Sequence, residues 1–172
     1  MDLTSFEITS ILKLIIALGL LNVWVLRFNQ STSYRGGDAN NMKEEFDNYG
    51  FASWFMYAIG AFKVVLAGVL LWSVFVREFT DLKLAIISAT ESTFATSLWI
   101  AYKDEIFMHD TIDIIGLLVL SIIMIGAIIM HIKLKDSMLK SLPAFLMLAM
   151  SLVCILLIVF YYKEIYYMAH PH

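Results

Sequence analysis

Runs of about twenty apolar residues, the length a helix needs to cross the hydrocarbon of a bilayer, recur along this 172-residue chain. Four stand out, at 8–26, 53–76, 112–132 and 142–162. Arg27 closes the first, and Arg77 with Glu78 closes the second. Hydrophobic residues make 60% of the chain and charged ones 16%, against roughly half and a quarter in soluble domains. A domain this small keeps much of its surface exposed, so lipid is the simplest place for the excess. The expected fold is all-α. It is a polytopic transmembrane helical bundle over 1–172, with four core spans plus a fifth span or re-entrant helix.

The fifth element falls at 82–102. Its middle reads ISATESTFATS, with Ser88, Glu91, Ser92 and Ala95 on one helical face. That pattern fits a span with a polar stripe turned into the bundle, or a re-entrant helix. The one long polar loop, 28–50, contains a Gly36-Gly37 turn signal. It also holds Met42, Phe46 and Tyr49 at i, i+4, i+7, one face of a short amphipathic helix capped by Asp38 or Asn40. That helix is expected on the membrane surface or over the end of the bundle. The acidic run Glu44, Glu45 and Asp47 reads as a solvated face. Trp24 reads as an interface aromatic, and Pro143 as a first-turn proline. With five spans, five basic residues flank each side, so the charge bias gives no orientation. The cluster at Lys133, Lys135 and Lys140 leans towards the cytoplasm or matrix.

A net charge of −3 without a basic stripe excludes nucleic acid as a natural partner. A single cysteine, Cys154, lies inside an apolar run, which excludes an internal disulfide and the paired-cysteine metal motifs. There is no Ser/His/Asp set, phosphate loop or dinucleotide fingerprint, so the chain offers no catalytic residues and no metal site of its own. Lys63 and Glu91 have opposite signs and similar depth in their spans. A charge at that depth needs a partner, so they are expected to pair, as a register clip or as a proton or ligand site. Lys13 lies near the start of its span and reads as snorkelling. His131 reads as a helix-end residue favoured by the dipole, with proton or ligand binding as the alternative. His109, Asp110 and Asp113 give a weak metal pattern. Arg35 with Gly36 and Gly37 forms either a tight turn or an anion nest. Such a nest would suit a quinone head group or a phospholipid phosphate.

Two blocks carry a further signal. One comprises NVWVLRFN, YRGGDANNMKEEF and GAFKVVLA; the other is MIGAIIMHIKLKDSMLKSLPAFLML. Together they resemble the DoxX-like family of small integral membrane proteins, over the first half and last third of the chain. The matching residues are Arg35, Gly36, Gly37, Glu44, Glu45, Phe46, Lys63, His131, Lys133, Asp136, Lys140 and Pro143. The resemblance implies a four-helix membrane bundle, against which 82–115 looks like an insertion. The family's name comes from thiosulfate oxidation linked to quinone, chemistry that a lone mid-span Cys154 does not supply. Some related proteins are assembly factors or partners of larger membrane complexes. The expected function is therefore an accessory or assembly subunit with no catalysis of its own, surrounded by lipid and other membrane subunits. Its expected location is a bacterial inner membrane or an organelle membrane. The alternatives are a quinone-linked redox component, or a small transporter or proton path using Lys63 and Glu91.

Overall fold

A computed structural model describes residues 3–88 and 92–169, with side chains described for 7–79, 108–161 and 163. The elements are α1 (Leu3–Leu21), a π-helical turn (Asn22–Leu26), α2 (Met42–Tyr49), α3 (Ser53–Ser88), α4 (Ser92–Lys133) and α5 (Met138–Ala169). Among the described residues, four segments are long and apolar enough to cross a membrane: Glu7–Leu26, Ser53–Phe79, Met108–Lys133 and Met138–Tyr161. The chain is an all-helical membrane protein.

The four long helices form a ring in chain order, α1 against α3, α3 against α4, α4 against α5, and α5 back against α1. Neighbours run antiparallel. Arg77 meets Asp110 near one end of the apolar segments of α3 and α4, and Leu66 meets Gly116 further in. The core is a continuous apolar cluster from all four helices, including Ile16, Leu20, Leu70, Leu117, Leu120 and Cys154. The large outward side chains are apolar too, among them Leu18, Val65, Ile122 and Leu156. Interior and exterior are equally hydrophobic, as lipid requires.

The expected element at 82–102 is not one helix. Those residues divide between the end of α3 and the start of α4, which pack antiparallel. The sequence there is long enough to suggest a span, and hydropathy alone does not register that α3 and α4 run in opposite directions. The stretch 82–115, which looked like an insertion, supplies the end of one bundle helix and the start of the next.

At the opposite end, α1 widens into the π turn, where Arg27 N–H reaches Asn22 O at 2.8 Å. Trp24 turns inward and is buried with Met42, Phe46 and Met56, so it is not an interface aromatic. The loop then folds back over the bundle, and α2 caps it with Met42, Phe46 and Tyr49 facing down. The cap residue is Asn41, neither Asp38 nor Asn40. Asn41 Oδ1 accepts from Glu44 N–H at 2.9 Å, while Glu44 accepts from Asn40 N–H at 2.8 Å, a reciprocal capping arrangement. Pro143 lies in the second turn of α5, not the first, where its missing N–H leaves one helical bond unmade.

A methyl added at Gly60 would sit 2.5 Å from the buried Trp24 ring, whereas one added at Gly68 would meet nothing within 4 Å. Gly60→Ala is expected to cost about 1–3 kcal/mol through overpacking. Gly68→Ala is expected to cost nothing. Unfolding in mixed micelles would measure both.

Candidate functional site

Charged groups inside the bundle gather at its two ends. At the capped end, Arg35 is buried and its guanidinium is fully engaged. Nη1 donates to Glu45 Oε2 at 2.8 Å and lies 3.2 Å from Met42 S. Nη2 donates to the carbonyls of Arg27, Phe28 and Gln30, and Nε donates to Gln30 O at 3.3 Å. Glu45, expected on the solvated face, is instead 8% exposed. Its Oε1 accepts from Gly36 N–H at 3.0 Å and from the Tyr49 hydroxyl at 2.9 Å. Glu44 and Asp47 do face outward.

The turn between α4 and α5 brings the second motif to the first. Asp136 N–H bonds His131 O and Lys135 N–H bonds Ile132 O, the Schellman pattern, with Lys135 left-handed at φ 57°. That turn swings the Asp136 carboxylate back to His131, 2.9 Å from Nδ1. Asp136 also accepts from Gly37 N–H at 3.1 Å and from Lys140 Nζ at 3.3 Å, and Lys140 donates to Gly37 O. His131 Nε2 lies 3.4 Å from the Tyr49 oxygen. One network therefore runs Arg35–Glu45–Tyr49–His131–Asp136–Lys140 and closes on Gly36 and Gly37. Gly37 has φ 59°, and a methyl on Gly36 would sit 2.4 Å from the Tyr49 oxygen, so the pair meets two separate steric demands.

The electrostatics follow from these contacts. Burial alone would raise Asp136, but the hydrogen bonds from His131, Gly37 N–H and Lys140 outweigh it and hold the carboxyl below its ordinary value of 3.8. Burial pushes the Tyr49 phenol up, and the neighbouring Glu45 charge pushes it further. Tyr49 thus keeps its proton. The Asn40 backbone N–H holds the Glu44 carboxyl down.

The other end holds a second network inside the apolar segments. Lys13 Nζ lies 2.9 Å from Asp110 Oδ1 and 2.6 Å from Asp113 Oδ2. Arg77 grips Asp110 with two bonds, at 3.2 and 3.0 Å, and its guanidinium lies 5.8 Å from the Tyr161 ring centre. Ser73 Oγ donates to Asp113 Oδ2 at 2.6 Å, while Asp113 Oδ1 is buried without a hydrogen-bond partner. Two cations and two carboxylates cancel. A cavity of about 10 Å³ beside them, lined by Ser73, Val76, Arg77, His109 and Asp110, has room for about one water. Lys13 is 1% exposed, so it does not snorkel. Asp110 and Asp113 are occupied by basic side chains, and no group of metal-binding side chains occurs among the described residues.

Lys63 belongs to neither network directly. It is buried 5.0 Å over the Trp24 ring and interacts electrostatically with Glu45. Its expected partner Glu91 lies outside the described residues. Phe46 packs in the apolar cluster under the cap, and Lys133 is exposed. The group missed from sequence is Lys13 with Ser73, Arg77, Asp110 and Asp113. Each lies within two turns of a segment end; Lys13 reads alone as snorkelling, Arg77 as the close of a span, and Asp110 with Asp113 as a weak metal pattern beside His109. The available signal was the i, i+3 pair Asp110 and Asp113, whose like charges on one helix face need cations.

Searches of protein-family models, curated proteins and solved structures give no match to the chain.

Lys13→Met would strand two buried carboxylates against one cation and is expected to cost about 3–5 kcal/mol. Adding Asp113→Leu restores neutrality. The double variant should recover more than half the loss in mixed-micelle unfolding, and a further loss would contradict the charge balance.

Proposed function

We propose that this chain is a non-catalytic accessory or assembly subunit of a larger membrane protein complex, crossing a bacterial inner membrane or an organelle membrane four times. The observation that carries the proposal is the closure of the cap. Arg35, Gly36, Gly37 and His131 were the residues best suited to a quinone head group or an anion, and each is engaged within the chain. A ligand there would have to displace an intact network of charge-assisted bonds.

Two further observations support it. The residues that resemble the DoxX-like motifs lie about a hundred positions apart, yet seven of them converge in this one network. This favours a shared architecture over chance local matches. Helix length adds a surface. At 1.5 Å per residue, α3 with its 36 residues and α4 with its 42 run about 54 and 63 Å, well beyond the ~30 Å hydrocarbon layer. Helices that outrun the bilayer in this way suit docking to another subunit. A transmembrane proton path finds less support. Ten residues, about 15 Å of helix, separate Lys63 from Ser73, and Ala17, Leu20, Leu66, Leu70 and Leu120 fill the space between the networks.

Extraction in a gentle detergent followed by native mass measurement tests the proposal. The chain should travel with at least one other membrane protein, whereas a monodisperse lone monomer would overturn the accessory role. Bound quinone lost in Arg35→Ala would favour the redox alternative.

Four crossings also change the charge count. Arg27, Arg35, Lys43, Lys133, Lys135 and Lys140 then share the capped face, against Arg77, Lys83, Lys103 and Lys163 on the other. Six against four favours the cap on the cytoplasmic or matrix side. In a Cys154→Ser background, an impermeant maleimide should label Lys163→Cys in intact cells or organelles, and Asp38→Cys only after permeabilisation.

A further inference from the structure

Besides Gly37 with Asp136 and Lys140, the cap meets the α4–α5 turn where Tyr49 touches His131, and the distances there constrain where the protons lie. Tyr49 has one hydroxyl proton. Glu45 Oε1 is the nearer acceptor at 2.9 Å, and the Arg35 guanidinium lies 2.8 Å from its Oε2. The phenol proton therefore points at Glu45, and the oxygen offers His131 a lone pair. His131 Nε2, 3.4 Å away, is attracted to that lone pair only if it carries a proton. Nδ1 faces the Asp136 carboxylate at 2.9 Å and needs a proton as well. Both ring nitrogens donate, so this arrangement belongs to the imidazolium.

We propose that the cap is a pH-sensitive latch: protonated His131 ties α2, through Tyr49, to the α4–α5 turn, through Asp136, and loss of the ring proton loosens the tie. A neutral ring keeps one N–H. If that stays on Nδ1 for Asp136, a bare Nε2 faces the Tyr49 oxygen. Tyr49 must then either turn its proton away from Glu45 or sit lone pair to lone pair with the ring. One hydrogen bond is lost in either case: the Tyr49–Glu45 bond that holds the phenol within α2 in the first, the Tyr49–His131 bond between cap and bundle in the second. The charged groups around the ring come from every neighbouring element. They are Glu45 on α2, Arg35 on the loop, Asp136 on the turn, Lys140 on α5, and Lys63 on α3 acting through Glu45. The carboxyl of Asp136 lies below 3.8, and guanidinium groups ordinarily stay charged far above neutrality. Between pH 5.5 and 8 histidine is the side chain whose ordinary range is crossed. The latch is internal and holds with or without a partner subunit.

The test uses the full chain in detergent micelles. Hydrogen exchange over residues 35–51, corrected for the intrinsic pH dependence of amide exchange, should be about threefold to tenfold slower at pH 5.5 than at pH 8, the worth of one hydrogen bond. Tyr49→Phe removes the acceptor and should abolish that difference while leaving the His131 ring titration in place. His131→Gln should abolish it too. Nitrogen-15 shifts of the ring should show both nitrogens protonated at pH 5.5. Equal protection at the two pH values, a difference that survives Tyr49→Phe, or a bare Nε2 at pH 5.5 would each overturn the latch.

Discussion

The ammonium of Lys13, held between Asp110 and Asp113, is the contact on which the arrangement of the bundle depends. Apolar packing between lipid-facing helices is permissive, because lipid tails are as apolar as the side chains they replace. A charge in that setting is not permissive. Each of the four ionised groups would be costly alone, and they become tolerable only when α1, α3 and α4 stand at one relative height. The network thus specifies register more than it adds stability, the role best attested for buried ionic groups. Arg77 over Tyr161 extends the same constraint to α5.

The cap solves a different problem. Loop backbone over the end of a membrane bundle carries N–H and C=O groups that need partners. Arg35 takes three loop carbonyls at once, and the Glu45 and Asp136 carboxylates take the N–H groups of Gly36 and Gly37. The cap's motif residues therefore satisfy backbone before they serve anything else. Its charged groups also sit where side chains from α2, α4 and α5 meet, so a proton change at His131 is felt by several elements together.

Much of this was legible in the sequence, and the misses have definite causes. Hydrophobic run length located all four long helices. The i, i+4, i+7 pattern located α2 and its buried face. What pattern reasoning could not supply was pairing across the bundle. Glu45 reads as solvated because its neighbours Glu44 and Asp47 are, and only the Arg35 loop folding back explains its burial. Lys13 reads as snorkelling because distance from a helix end is visible in sequence, whereas the carboxylates facing it lie about a hundred residues away. Trp24 was misplaced by the π turn, which no periodicity announces.

The reversal between α3 and α4 shows the same limit from another side. A hydropathy window records how much apolar surface a segment has, not which way the chain runs through it. Where two helices outrun the bilayer, their ends can be apolar without forming another crossing. The deciding information is the complementary pairing of Arg77 with Asp110 and Ser73 with Asp113, which fixes α3 and α4 as antiparallel neighbours. Those residues are the ones a hydropathy scan discounts as impurities in a span. In a chain this hydrophobic, the few polar positions carry most of the topological information, and the apolar majority follows them.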